Sequence, residues 1–130
     1  MLLNAKILIV DDERDVLKAL QMRLKSAGYE VISATDGVMA TQLAVKENPD
    51  LILLDIGMPV GDGHTVAQRL QDNLNTTHIP IIFLTARANQ ADMKKATDVG
   101  AAGYLLKPFK SERLLALVER VLAEHIAAEA

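Results

Sequence analysis

Residues 51–59 read "LILLDIGMP". Four aliphatic residues run without a break into Asp55, and Gly57, Met58 and Pro59 follow within four positions. A strand with one wet face alternates apolar and polar side chains. An unbroken apolar run instead marks a strand covered on both faces, as in a parallel sheet between helical layers. The reading is therefore a central parallel strand, and the question it raises is why such a strand ends on a charge.

Four further β-type runs accompany it: "KILIV" (6–10), "YEVISA" (29–34), "PIIFL" (80–84) and "GYLL" (103–106), with "DLILL" (50–54) as the third strand in chain order. "KILIV" and "PIIFL" are also nearly continuous in aliphatic character. "YEVISA" alternates more and belongs nearer an edge. Helical patterns lie between and after the strands. In 13–26, Leu17, Leu20 and Leu24 share a face and Gly28 supplies the stop. In 37–47, Ala40, Leu43 and Ala44 recur at helical spacing before "ENPD". Residues 64–73 carry Val66, Ala67 and Leu70. Residues 89–99 hold only Met93 and Ala96 on an apolar side. Residues 111–126 make a wide apolar face from Leu114, Leu117, Val118, Val121 and Leu122. Strand then helix, repeated five times, predicts right-handed crossovers and an open, doubly wound α/β sheet with five helices.

In such a sheet a ligand site lies beyond the carboxyl ends of the strands. Strand one is followed by Asp11, Asp12 and Glu13, strand three by Asp55, strand four by Thr85, and strand five by Lys107 and Pro108. Taken singly, each has an ordinary structural account. Asp12 or Glu13 would serve as a helix cap, and one Thr or Lys at a strand end signifies little. Four strands of five ending this way on one sheet edge is a pattern. Clustered carboxylates repel unless a cation sits among them. With no cysteine in the chain and no pair of histidines at ligand spacing, the expected cation is a hard, oxygen-seeking one, and Mg²⁺ suits two carboxylates, a carbonyl and retained waters. Such a cation, an ammonium and a hydroxyl around Asp55 form a setting for phosphoryl transfer, with Asp55 as nucleophile.

With those residues in place, the sequence resembles the receiver domain of bacterial two-component response regulators, of which the chemotaxis response regulator is the best-known single-domain member. "ILIVDDE", "LILLDIGMPVGDG", "IIFLTA" and "GYLLKPF" occur in the family's order and span essentially the whole chain. The resemblance implies a flavodoxin-like five-stranded parallel sheet in the order 2-1-3-4-5, with residues 1–130 forming one receiver domain whose core covers about 5–125. It implies that Asp55 is the phosphoacceptor and that Asp12 ligates Mg²⁺ directly. Asp11 would do so directly or through water, and the backbone carbonyl of Gly57 would be a third ligand. Thr85 would bind a phosphate oxygen and shift on activation. Lys107 would pair with Asp55 before phosphorylation and with the phosphoryl group afterwards. Ala86 would leave room for the phosphoryl, and Tyr104 would be the aromatic switch whose ring turns inward as Thr85 moves. Lys107–Pro108 matches a bond that the family holds cis, Pro59 lies in the metal loop, and Asp62–Gly63 opens the third helix. The chain departs from the family at Gly57, where a larger side chain is common. That position and Arg87, two residues past Thr85, tune how fast the phosphoryl group is lost.

Composition narrows the rest. The chain has 130 residues, 50% of them hydrophobic and 24% charged, which suits one globular domain. No apolar run approaches the ~20 residues of a membrane span. The N-terminus lacks the pattern of a signal peptide, so a cytoplasmic protein that does not enter membranes is expected. The formal net charge is −3 with the basic residues dispersed, so nucleic-acid binding by this chain alone is not expected. His64, His78 and His125 read as surface or packing residues, and Phe83 and Phe109 as core. The implied function is a phosphorylation-activated signalling switch rather than an enzyme. Its expected partners are a histidine kinase or histidine phosphotransfer protein upstream and another protein or effector domain downstream. A homodimer on phosphorylation is a further expectation. The output surface would be the helix at 89–99, the fifth strand and the last helix.

Rival functions fit less well. A small-molecule phosphohydrolase needs a second acid or base close after the nucleophile, where Ile56 and Gly57 stand. A scaffold no longer controlled by phosphate has no use for a complete site. A flavodoxin-type cofactor protein needs a Ser/Thr/Gly-rich phosphate loop after strand one, where "DDERD" would repel phosphate.

Overall fold

A computed structural model describes residues 4–57, 63–86 and 100–129. Five strands, β1 (Lys6–Val10), β2 (Glu30–Ala34), β3 (Leu51–Asp55), β4 (Ile81–Thr85) and β5 (Gly103–Leu106), form one parallel sheet in the order β2-β1-β3-β4-β5. The described helices are α1 (Arg14–Ser26), α2 (Gly37–Glu47), α3 (Gly63–Asp72) and α4 (Ser111–Glu129). The helix expected at 89–99, the residues Met58, Pro59 and Asp62, and Arg87 lie outside the described residues.

Every residue of β3 is buried, and the strand shows how period-two geometry feeds two cores. Leu51 and Leu53 pack with Ile7, Ile9, Leu17, Leu20 and Leu24 and with Leu114, Val118, Val121 and Leu122, which is the layer of α1 and α4. Ile52 and Leu54 pack with Leu8, Val10, Ala40, Ala44, Val66, Ala67 and Leu70, the layer of α2 and α3. The unbroken aliphatic run is thus two half-cores interleaved. β2 lies at one end of the sheet and is mostly half-buried, in line with its more alternating sequence. Phe83 is fully buried, whereas Phe109 is half-buried against the α1/α4 layer.

The helices begin and end for local reasons. Gly28 adopts φ 99°, and the Gly28 and Tyr29 N–H groups close onto the Lys25 and Leu24 carbonyls, which terminates α1. The Asp36 carboxylate accepts the Met39 N–H at 2.8 Å and caps α2. Asn48, with φ 46°, ends α2 ahead of Pro49. The last helix continues to Glu129, past the expected 126, because its Ala- and Glu-rich end favours helix.

At the carboxyl ends of β3 and β4 the expected boundary moves by one residue. Asp55 and Thr85 are the last residues of β3 and β4 rather than the first beyond them, because the ladder continues through them. Asp55 pairs with Leu84 and Thr85 with Leu106. Their backbones are therefore held by the sheet.

Candidate functional site

The register assembles the site. Val10 of β1 pairs with Leu54 of β3, so the next residue on each strand, Asp11 and Asp55, are neighbours across the ladder. The Ile56 N–H donates to the Leu84 carbonyl and the Lys107 N–H to the Thr85 carbonyl, at 3.1 and 2.7 Å. These bonds carry the alignment one residue beyond the aliphatic runs. The result is a cleft of about 340 Å³ lined by Asp12, Glu13, Asp55, Ile56, Gly57, Thr85, Ala86 and Lys107.

Three aspartates cluster at the cleft and differ in depth. Asp11 has no solvent exposure, Asp55 is 6% exposed, and Asp12 is open to solvent. An oxygen from each lies within 4.8 Å of the others. Asp55 Oδ1 accepts the Gly57 N–H at 2.9 Å. Lys107 Nζ stands 2.7 Å from Asp11 Oδ2 and 3.5 Å from Asp55 Oδ2. The resemblance implies a Lys107–Asp55 pair, and here the ammonium lies nearer to Asp11. Glu13 occupies the N-cap position of α1, yet its side chain makes no capping bond. The ordinary account of that residue as a cap therefore fails. Asp11 Oδ1 instead accepts the Glu13 N–H at 2.9 Å.

Burial pushes the Asp55 carboxyl above its ordinary value. The Gly57 N–H pulls it down, the Asp11 charge raises it and Lys107 lowers it. Lys107 is also raised overall: burial works against its charge, but the hydrogen bond and charge of Asp11, joined by Asp55, more than offset that. The ammonium is therefore held charged at neutral pH.

Three clustered aspartates, with Glu13 also lining the cleft, against one ammonium leave an excess of negative charge at the mouth of a buried site. The donors are all oxygen, one of the carboxylates faces water, and their spacing would let them share one ion. These properties fit a hard divalent cation that retains water, which is the coordination habit of Mg²⁺.

Thr85 is 3% exposed and lines the cleft beside Ala86. Tyr104 pairs with Phe83 across β4 and β5 and sits half-buried against the α2/α3 core. The Lys107–Pro108 peptide bond is cis. Of the histidines, His78 is exposed and bonds Asn48 Oδ1 at 3.1 Å, and His125 is half-buried at the end of α4. Sequence reasoning placed Glu13 at this sheet edge but did not find Ile56 as a lining residue, nor the Asp11–Lys107 pair, whose members stand 96 residues apart.

Residues 7–119 match the sequence profile of the response regulator receiver domain. The chain belongs to that family. A receiver domain is the phosphorylation-activated switch of two-component signalling, and both the sheet order and the acidic cleft agree with it. Among curated relatives, the DNA-binding dual master transcriptional regulator RpaA of Synechocystis is 43% identical over 117 residues, covering 90% of this chain and 48% of that protein. The chain spans about half the length of the first such relatives. Among solved structures, the Vibrio cholerae chemotaxis protein CheY4 superposes with a TM-score of 0.87 at 36% identity, covering 91% of this chain and 98% of that one. The receiver domain of a Pseudomonas aeruginosa sensor histidine kinase superposes with a TM-score of 0.85 at 33% identity over 92% of this chain and 98% of that one. That structure holds a magnesium ion coordinated in its active-site cleft. Among the described residues no helix of this receiver domain is long and apolar enough to cross a membrane.

Proposed function

We propose that this receiver domain takes a phosphoryl group onto Asp55 from a phosphohistidine donor, carried by a histidine kinase or a histidine phosphotransfer protein. The observation that carries the proposal is the Asp55 carboxylate, fixed at the end of β3 by the Leu84 pairing and the Gly57 N–H. It lies between a cluster of acidic oxygens and the Lys107 ammonium. One Asp55 oxygen attacks phosphorus as the phosphorus–nitrogen bond to the donor imidazole breaks. The imidazole leaves with the electron pair and takes its proton from solvent. The burial that raises the Asp55 carboxyl also keeps the carboxylate poorly solvated and ready to attack, while the Gly57 N–H and Lys107 work against that rise. Lys107 then faces the new phosphoryl oxygens, and the Thr85 hydroxyl donates to one of them.

Asp11, Asp12 and Asp55, with the Gly57 carbonyl, would hold Mg²⁺, which when bound supplies charge neutralisation at the phosphoryl oxygens. The protein's own part is to aim the carboxylate and gather the charges. Its product is a conformational state rather than a released compound, so it acts as a regulator and not as an enzyme.

The change runs from Thr85 at the end of β4 to Tyr104 on β5, which pairs with Phe83 two residues earlier on β4. Drawing the Thr85 hydroxyl toward the phosphoryl group alters the packing under Tyr104. The surface of β5 and α4 then shifts its preference for a downstream protein, an effector domain or a second copy of the chain. Leu106 on β5, 44% exposed, belongs to that surface.

The test is incubation with acetyl phosphate and Mg²⁺, followed by intact mass. One base-labile phosphoryl adduct on the wild type, absent without Mg²⁺ and absent in Asp55→Asn, is expected. An unmodified wild-type chain would overturn the reading, and turnover of general phosphate esters would favour a hydrolase.

A further inference from the structure

A helix that lies on a sheet normally turns a charged face to water. The last helix does so, exposing Glu112, Arg113, Glu119, Arg120 and Glu124. The outward face of α2 is different. Among the described residues six large apolar side chains are exposed, and three of them, Val38, Met39 and Val45, lie on this one helix, which marks its face as unusual. Of the two charged residues of α2, Glu47 is half-buried and pairs with Lys6 at 3.7 Å, which leaves Lys46 on the open side. Thr41 donates its hydroxyl to the Gly37 carbonyl at 2.9 Å, so its polar group is already engaged within the helix.

We propose that this face of α2 docks against the same face of a second copy of the chain, the two helices running antiparallel about a two-fold axis near Gln42. Val38, Gln42 and Val45 fall at i, i+4 and i+7 and form one seam along the helix. A two-fold axis through the middle of that seam brings Val38 of each copy against Val45 of the other. It also brings the two Gln42 amides together, and each amide carries both a donor and an acceptor.

Charge selects the occupant. Asp36 is exposed at the amino end of α2, where Oδ1 accepts the Met39 N–H at 2.8 Å and Oδ2 remains for a second partner. Lys46 is exposed near the carboxyl end, about 15 Å farther along the axis. Antiparallel pairing sets Lys46 of each copy beside Asp36 of the other, giving two ion pairs, whereas parallel pairing would set like charges together. The face is therefore complementary to itself. It is also short, about 16 Å for the whole helix, so the dimer it supports is weak and concentration-dependent. α2 and α4 pack on opposite faces of the sheet, so this contact is distinct from the β5 and α4 surface and needs no phosphoryl group.

The test is sedimentation equilibrium on the unmodified full chain from about 10 μM to about 1 mM. The wild type is expected to pass from monomer toward dimer over that range. Val45→Glu sets a carboxylate against Val38 and near Asp36 of the second copy, and is expected to weaken the dimer at least about tenfold. Met22→Glu, at a residue 68% exposed on α1, is expected to leave it unchanged. A wild type that stays monomeric throughout overturns the proposal in favour of a different protein as the occupant. A dimer that Val45→Glu leaves intact, or that Met22→Glu abolishes, overturns the α2 contact. A second readout exploits the absence of cysteine from the chain. Gln42→Cys carries a single thiol close to the axis, so mild oxidation should join two copies through a disulfide, while Met22→Cys stays monomeric under the same conditions. Cross-linking by Met22→Cys but not by Gln42→Cys contradicts the proposal.

Discussion

The Lys107 N–H donates to the Thr85 carbonyl at 2.7 Å, so the cleft's ammonium and its hydroxyl belong to residues joined through the main chain. The bond extends the β4–β5 ladder one residue past the Thr85–Leu106 pair. It does not depend on either side chain. The side chains can therefore be altered while the strand ends stay in register, which separates the role of each group from the integrity of the fold.

Thr85→Ala is the first such alteration. The sheet bond remains, so the variant is expected to fold and to accept the phosphoryl group on Asp55. The amide NMR shifts that phosphorylation causes at Tyr104 and Leu106 should shrink to a small fraction of their wild-type size. Full-sized shifts in the phosphorylated variant would remove Thr85 from the switch.

Asp55→Asn should make the protein more stable at neutral pH. An acid raised above its ordinary value in the folded state costs stability once it is ionised. The cost is absent below the unfolded value, near 4, grows as pH rises through the folded value and is complete above it. The amide lacks that cost and relieves repulsion from Asp11. Its advantage in thermal unfolding, on the order of 1 kcal/mol, should be present at pH 7 and vanish as pH falls below about 4. An advantage that grows toward acid pH would show the opposite sign.

The two layers on either side of β3 predict a steep contrast between buried and exposed leucines. Leu54 has no exposure and fills the α2/α3 core, so Leu54→Ala should cost about 2–5 kcal/mol in denaturant unfolding. Leu106 is 44% exposed, and Leu106→Ala should cost less than about 1 kcal/mol. Comparable losses at the two positions would contradict the packing described.

Much of this was readable from residue order because a parallel sheet writes its core as aliphatic runs and its site as the polar residues at their carboxyl ends. "LILL" before Asp55 and "IIFL" before Thr85 point to the same edge from residue order alone. The boundaries fell one residue short because the pattern registers only the change from apolar to polar, whereas the ladder holds Asp55 and Thr85 as well. Depth was not legible either. Asp11 and Asp12 are chemically identical neighbours, and only the turn of the chain into α1 buries one and exposes the other. The preference of Lys107 for Asp11 over Asp55 is a matter of distances across the sheet, on which local sequence carries no signal.

Gly57 offers a handle on the lifetime of the modified state. A Cβ built there meets Asp55 Oδ1 at 3.4 Å, so a Cβ is accommodated beside the acceptor. Gly57→Met should cover the acceptor with an apolar group and restrict the approach of water. After donor removal, the phosphoryl group is expected to decay several-fold more slowly than in the wild type, by an amount on the order of 1 kcal/mol in barrier height. Faster decay would show that the side chain orders water instead of excluding it.

The central claim is that the carboxylate closing β3 receives the phosphoryl group, and reductive trapping tests it at the level of one residue. The protein is loaded from acetyl phosphate with Mg²⁺ and treated with borohydride, which reduces an acyl phosphate on aspartate to homoserine. The peptides are then sequenced by mass spectrometry. Homoserine at position 55 and at no other aspartate is the predicted result. Homoserine at Asp11 or Asp12, or an unreduced chain after demonstrated loading, would contradict it.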